Sequence, residues 1–320
     1  MDFRVFVNIL RFLAILSVIC AHVSTDSSSY ANLVVRSCGT VGVGLFFFLS
    51  GYFFYYNKKD FIFFWKTKFK TIIVPWLFCG TIDWLYVVLR KGGANLYNWA
   101  DNIFIHSHYY FLTCLLLLFI IFWRFKNNSF VVGLIFSLSV LVNIMTALGL
   151  LFGLYPYANP LNWALFFILG LIVAQKDSLV QCAVVCGRYL HITLPLAISI
   201  IGIAVFKNSY IAYWGQGNII AGVLFGVVLV GIAYVITDNS KLLFRQMMSY
   251  MGKISYTIYL IHMPVAGVLS FLIVNYNLGI LVLLAPLIVV IIVTAAIMII
   301  LKFSYFIGIE KYVKLLLGTR

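Results

Sequence analysis

Two ionisable residues, Arg11 and His22, bound the first apolar stretch of the chain, RFLAILSVICAH. Positions eleven apart in an α-helix point about 20° apart and lie about 16 Å apart along the axis. A guanidinium binds anions, and an imidazole exchanges a proton near neutral pH. The spacing therefore favours one polar face with an anion-binding group at one end and a proton acceptor at the other. The alternative is that Arg11 snorkels to one membrane surface and that His22 lies at the other.

Asp83 lies in the middle of a later apolar segment, which contains GTIDWLY. A carboxyl group buried in such a segment needs a cation, a hydrogen-bond donor or a proton. Two interpretations stay open: a pair with Arg11 or His22, or a protonated structural contact.

His262 lies in ISYTIYLIHMP, where Ser255 and Tyr259 share its helical face. One interpretation is a hydrogen-bonded core histidine that the tyrosine braces, and the other is a functional group inside the membrane. Pro264 follows two residues later. Because proline has no backbone N–H, it leaves a helix carbonyl free nearby.

A basic and aromatic segment, NKKDFIFFWKTKFK, covers residues 57–70. Its Lys66, Lys68 and Lys70 alternate, which does not match a single face of a helix. Either the segment anchors the chain to lipid headgroups, or the lysines bind a phosphate-bearing ligand.

Metal chemistry is not expected from this sequence. His106 and His108 are two positions apart, without a carboxylate cluster. The six cysteines show no metal spacing with histidine and are expected to be small buried hydrophobic residues.

The composition indicates a membrane protein. The chain has 320 residues, of which 64% are hydrophobic and 9% are charged, and this is too little charge to cover a soluble protein. Apolar runs long enough to cross a bilayer recur along the chain. They are continuous, unlike the alternating strands of an outer-membrane barrel. We therefore predict an all-α polytopic membrane protein.

About ten transmembrane helices are expected, in a single membrane domain that covers residues 1–320, with short connections and no internal repeat. The predicted spans are 5–24, 39–56, 72–89, 109–123, 129–149, 162–175, 190–206, 218–236, 254–274 and 279–301.

The basic residues predict the orientation of these spans. With both termini in the cytoplasm, 17 of the 22 lysines and arginines fall on the inner side, four fall on the outer side, and Arg11 lies within a span. This asymmetry follows the positive-inside rule. The net charge of +14 therefore needs no nucleic acid as a partner. In this orientation Arg11 lies in the inner half of the bilayer and His22 lies near the outer surface.

The sequence resembles the acyltransferase type-3 family of bacterial membrane O-acyltransferases over nearly its whole length. The first span has the family's Arg-x10-His pattern, and the second has VGVGLFFFLSGYFFY. Four later segments resemble family segments in the expected order: KTKFKTIIVPW, HYYFLTCLLLL, FFILGLIVAQK and GKISYTIYLIHMPV. The family often has arginine in the basic run, where this chain has only lysine. Many members also have arginine after the aromatic start of the fourth span, where this chain has Thr113.

The resemblance implies a standalone enzyme of the bacterial inner membrane, without a secreted hydrolase-like domain. Such enzymes move an acyl group, usually acetyl, from cytoplasmic acyl-coenzyme A to a hydroxyl of an envelope polysaccharide or a lipid-linked sugar. We expect His22 to be the general base, or to carry the acyl group briefly, and Arg11 to hold the donor. Lys66, Lys68 and Lys70 are expected to bind the donor's phosphates. Acetyl-CoA is then a substrate, and no permanently bound cofactor is expected.

A serine nucleophile is not expected, because the chain has no G-x-S-x-G motif. Ser50, in LSGY, is expected to support helix packing or the donor site. The rival interpretation of the whole chain is a transporter of an amphipathic or anionic solute, which interior charges and a basic cytoplasmic mouth would suit. Transporters often contain internal repeats, which this sequence does not show.

Overall fold

The computed structural model describes residues 1–23, 29–91, 95–151, 155–212, 218–276 and 278–319. Within those ranges all regular elements are helical, so the predicted all-α class is confirmed. The α-helices are α1 (Phe3–His22), α2 (Tyr30–Cys38), α3 (Gly42–Tyr55), α4 (Phe61–Lys68), α5 (Val74–Lys91), α6 (Leu96–Asp101), α7 (Tyr110–Phe125), α8 (Ser129–Ala147), α9 (Pro160–Gln175), α10 (Leu179–Arg188), α11 (Leu190–Phe206), α12 (Asn218–Asn239), α13 (Leu242–Lys253), α14 (Ser255–Asn275), α15 (Ala285–Phe306) and α16 (Glu310–Leu317).

Each of the ten predicted spans has a helix at its position. In the described part of the chain, seven segments are long and apolar enough to cross a bilayer, and two more are helix pairs bent by 70° and 107°. The bent pairs are Leu96–His106 with Tyr110–Phe125, and Pro160–Gln175 with Leu179–Arg188. The remaining predicted span, 190–206, corresponds to α11, an apolar helix of 17 residues. The chain is therefore a multi-pass membrane protein, whereas the side on which its termini lie stays a prediction.

The helices form two compact units, each described here by itself. The first unit contains residues 1–46 and 176–296. Its central helix is α1, which packs against α2, α12, α13 and α14. Of the 18 consecutive residues that form the most apolar part of α1, 67% are buried, compared with 11% for α8. A span surrounded in this way meets protein on most sides, so its polar residues are shielded from lipid.

The second unit contains residues 47–175 and 297–320. Its core is aromatic: Phe47 stacks on Trp163 with ring centroids 5.2 Å apart, and Phe122 stacks on Phe167 at 5.3 Å. All four side chains are completely buried. A polar network joins α8 to α9, where the Asn143 amide donates to the carbonyls of Ser139 and Asn162. Hydrogen bonds of this kind satisfy polar groups that lipid cannot satisfy.

Candidate active site

Arg11 and His22 lie on one uninterrupted helix. Asp2 caps its start, where its carboxylate accepts hydrogen bonds from the backbone N–H groups of Arg4 and Val5 at 2.9 and 3.2 Å. The helix continues to His22 without a break. The two side chains therefore project from one face about 16 Å apart along the axis, as predicted. Both are partly exposed.

Ser17 holds α1 from the other side. Its hydroxyl donates to the Cys38 carbonyl at 2.7 Å and accepts from the backbone N–H of Gly42 at 3.1 Å. Both partners lie at the turn between α2 and α3, and Ser17 is 5% exposed. Position 17 lies about 120–140° around the helix from Arg11 and His22. The two bonds therefore fix the rotation of α1 about its axis, and with it the direction of the ionisable face.

His262 packs against His22. The two ring centroids are 5.3 Å apart, with the ring planes inclined by 53°. His262 is 0% exposed, and its Nδ1 lies 2.7 Å from the carbonyl oxygen of Tyr259. Since a carbonyl oxygen only accepts, Nδ1 carries the proton and Nε2 is the acceptor nitrogen in the neutral ring. The acceptor is the backbone carbonyl of Tyr259, so this hydrogen bond does not depend on the tyrosine side chain.

The contact between the two histidines follows from the way α13 and α14 pass α1. Gly252, at the end of α13, lies so close to the Asn8 backbone that a Cβ there would collide with the Asn8 carbonyl. Nearby, the Asn8 amide donates to the Ser249 hydroxyl at 3.2 Å. From this crossing, His22 lies about 21 Å further along α1. His262 lies ten residues further along the chain, in α14, beyond the turn at Ile254 that ends α13. The packing of α13 and α14 against α1 therefore sets the level at which the rings meet.

This pair was not predicted from the sequence. Both histidines had been recognised separately, because each is an ionisable residue in an apolar segment. Their contact joins residues 240 positions apart in the chain. It depends on the register between α1 and α14, which local patterns do not encode.

The three lysines of the basic segment differ in their surroundings. Lys66 and Lys68 lie near the end of α4, and Lys70 lies in a π-helical turn, Phe69–Ile73. Lys66 and Lys70 are exposed. The Nζ atom of Lys68 lies over two aromatic rings, 5.1 Å from the centroid of Phe64 and 4.7 Å from that of Phe119. The different surroundings of Lys68 match the expectation that the three lysines do not share a face. Its contacts with the two rings also contribute to the packing of this region.

Lys126 is a fourth lysine of the same unit that sequence reasoning missed. Its ammonium donates to the Asn57 carbonyl at 3.1 Å and lies 5.4 Å from the ring centroid of Phe54. Burial lowers the pKa of Lys126. In the described residues, the basic segment has two buried N–H donors without a hydrogen-bond partner, Asn57 Nδ2 and Trp65 Nε1, and α5 has another, Trp76 Nε1. Buried donors of this kind are unusual, and acceptor atoms of a bound ligand would satisfy them.

The remaining candidate residues have the following positions. Asp83 lies in α5 of the second unit and is partly exposed, whereas Arg11 and His22 belong to the first unit. Ser50 lies in α3 and is partly exposed. The Thr113 hydroxyl donates to the Phe104 carbonyl at 2.9 Å, so the residue at this position is part of the packing of α7.

The two neighbouring histidines, His106 and His108, have separate partners. His106 Nδ1 lies 2.6 Å from the carboxylate of Asp101, and its ring is exposed. His108 is 7% exposed and packs on the ring of Tyr109, with centroids 3.9 Å apart. Among the described residues, no group of three or more His, Cys, Asp or Glu side chains has an arrangement that fits a metal ion.

Comparison with known proteins gives one match. The sequence profile described as an acyltransferase domain, of the type-3 class, matches residues 4–302. No curated protein and no solved structure shows significant similarity to the chain. The matched range covers α1 to α14 and includes Arg11, His22, the basic segment and His262.

Proposed function

Because the chain belongs to the acyltransferase type-3 family, and is thus a membrane acyltransferase, we propose that it is an O-acetyltransferase of the bacterial inner membrane. Its donor is cytoplasmic acetyl-CoA, and its acceptor is a hydroxyl of an envelope polysaccharide or a lipid-linked sugar. The observation that carries the proposal is the face of α1, where a guanidinium and an imidazole lie about 16 Å apart and a second imidazole contacts the first.

His22 is the general base in this proposal. The neutral imidazole accepts the proton of the acceptor hydroxyl while the oxygen attacks the carbonyl carbon of the thioester. The C–O bond forms, the tetrahedral intermediate collapses and the C–S bond breaks. The imidazolium returns the proton to the departing thiolate, so the products are an ester and free coenzyme A. In a variant of this path, His22 carries the acetyl group briefly before the hydroxyl attacks.

Arg11 holds the donor. A guanidinium presents several N–H donors in a plane and pairs with phosphate or amide oxygens. Its distance from His22 along α1 suits a long donor whose phosphate end and thioester end are well separated. Such a donor is bound and released in each cycle, so it is a substrate.

The basic segment supplies the contacts to the donor's phosphates. Lys66 and Lys70 are exposed and therefore available to an anionic ligand. The Nζ atom of Lys68 lies over the aromatic rings of Phe64 and Phe119. The buried N–H groups of Asn57, Trp65 and Trp76 add neutral donors in the same unit. This combination of charge and unsatisfied donors supports an anion-binding role more than lipid anchoring alone, which needs no buried donors.

The test uses purified protein in lipid vesicles. Acetyl-CoA labelled in the acetyl group is supplied together with polysaccharide and lipid-linked sugar extracted from the envelope of the source bacterium. We expect a base-labile acetyl ester, formed in the same amount as the coenzyme A that is released. Vesicles that take up an anionic or amphipathic solute but form no ester would support the transporter instead.

Arg11 variants test the donor site in the same assay. Arg11→Ala is expected to raise the KM for acetyl-CoA about tenfold, the loss of roughly one charge-assisted hydrogen bond. Arg11→Lys is expected to restore donor binding only in part, because the planar fork is lost. Arg124→Ala, at an exposed arginine near the end of α7, is the matched control and is expected to leave KM unchanged.

A further inference from the structure

His262 is a second imidazole that the proposed reaction does not use. It is completely buried, and its ring contacts that of His22 at a centroid distance of 5.3 Å. Burying a polar ring costs free energy unless its hydrogen bonds are made. Isoleucine or methionine, which flank this position as Ile261 and Met263, would fill the space without that cost. The choice of an anchored imidazole at this point therefore needs a reason other than packing.

We propose that His262 is a positioning residue for His22, whose ring it holds in one orientation for proton transfer. This inference rests on the proposed role of His22 as the base. His262 does not need to touch either substrate for this purpose. It acts through the ring contact with His22.

The ring of a catalytic base must keep one orientation toward its substrate. His22 is the last residue of α1, and its ring contacts that of His262. The torsion that rotates an imidazole about its Cβ–Cγ bond is broad and only weakly restricted by rotamer preferences. A base with a freely rotating ring presents its acceptor nitrogen to the hydroxyl for only part of the time. A neighbouring ring that is itself fixed removes this freedom.

The backbone of α14 fixes His262 itself. Its Nδ1–H donates to the Tyr259 carbonyl at 2.7 Å, which sets both the plane of the ring and its tautomer. The Tyr259 ring lies on the same side, with its centroid 6.0 Å from that of His262. Tyr259 is 4% exposed, so this support is also buried. The chain of contacts therefore runs from the α14 backbone to His262 and from His262 to His22.

The test uses two variants that each remove one of the two contacts of His262, its hydrogen bond to the Tyr259 carbonyl or its ring contact with His22. His262→Phe keeps an aromatic ring of similar size and loses the Nδ1–H. His262→Asn keeps an N–H donor close to the position of Nδ1 and loses most of the ring. Both substitutions are expected to lower kcat about ten- to hundredfold, the range found when a group that orients a functional histidine is removed. The KM for acetyl-CoA is expected to stay within about twofold, since the donor contacts are elsewhere.

The second readout is spectroscopic and needs no acceptor. In protein labelled with ¹⁵N-histidine, the nitrogen shifts distinguish the protonated nitrogen from the acceptor nitrogen of each ring. In the wild type we expect His262 to be protonated at Nδ1 and His22 to give one set of sharp signals, from a ring in one orientation. In His262→Phe the His22 signals are expected to broaden or split, because the ring then takes more than one orientation. His108→Phe, which replaces a buried histidine of the other unit, is the matched control and is expected to leave the His22 signals unchanged.

The two readouts fail separately. Broadened or split His22 signals in a variant of a protein without transferase activity would support the positioning role and refute the proposed function. One sharp set of His22 signals in both folded variants, with kcat within twofold of wild type, would overturn the inference even if His22 proves to be the base. If His262→Phe does not fold, the signals and kcat of His262→Asn decide between the same two outcomes.

Discussion

Gly252 offers a test of how the two histidines are brought together. In Gly252→Ala, an ideal Cβ would lie 2.5 Å from the carbonyl carbon of Asn8 and 3.1 Å from its Cα, and it would collide with the carbonyl oxygen. Carbon atoms in contact normally lie about 3.5–4.0 Å apart. The backbones of α13 and α1 must therefore move apart, or slide past each other, by about 1 Å. Overpacking of this kind typically costs about 1–3 kcal/mol of stability.

The displacement reaches the His22–His262 pair through the packing of α13 and α14 against α1. His262 is ten residues beyond Gly252, across the turn at Ile254 that separates α13 from α14. A misplacement of about 1 Å at a reacting group can cost about 10²-fold in rate. We expect Gly252→Ala to lower kcat between about tenfold and a hundredfold, while the KM for acetyl-CoA changes less than about twofold. The assay is ester formation at saturating acetyl-CoA, measured together with the melting temperature in detergent.

The matched control is Gly267→Ala in α14. A Cβ at position 267 meets nothing within 4 Å, so alanine fits and helix propensity favours it by roughly 0.5–1 kcal/mol. This variant is expected to keep wild-type kcat and stability. If Gly252→Ala also keeps wild-type kcat, the crossing at Asn8 does not position the histidines and the reasoning is refuted.

Three further predictions follow from the structure. Ser17→Ala removes the acceptor of the Gly42 N–H group and is expected to lower the free energy of unfolding by about 1–3 kcal/mol, seen as a lower melting temperature. Ser199→Ala, at an exposed hydroxyl, is the control, and equal melting temperatures of the two variants would contradict the role of Ser17. Replacing Lys66, Lys68 and Lys70 by glutamine is expected to raise the KM for acetyl-CoA about tenfold. Lys68→Gln alone is expected to lower stability as well. An unchanged KM in correctly inserted protein would show that the lysines are lipid anchors. In a cysteine-free protein in intact cells, an impermeant maleimide is expected to label Asn95→Cys and not Lys241→Cys, and the reverse result would invert the topology.

Most of the helices were predictable because the bilayer imposes a simple rule. A chain in hydrocarbon must satisfy its backbone hydrogen bonds internally, so a long apolar run becomes a helix. The ten runs of the sequence lie on helices for this reason. The bends at His106–Tyr110 and Gln175–Leu179 were not predicted. Each interrupts an apolar stretch over only a few residues, and the direction taken after such a break depends on tertiary packing.

The site was predictable only as separate residues. The shared face of Arg11 and His22 follows from helical periodicity alone, and it is present in α1. The different surroundings of Lys68 agree with the same periodicity. The contact between His22 and His262 depends on a glycine that lets two backbones approach, ten residues before His262 and in a different helix. The sequence pattern around His262 does not predict which helix the histidine will contact.

The most direct test of the central claim is acetyl transfer by His22→Ala. The measurement is a single-turnover rate in vesicles, with acetyl-CoA binding followed by calorimetry and with His191→Ala, at an exposed histidine, as the control. A general base contributes about 10²–10⁴-fold in rate, so we expect at least a hundredfold loss of ester formation with donor binding unchanged. A His22→Ala protein that transfers acetyl at a rate near that of His191→Ala would contradict the account.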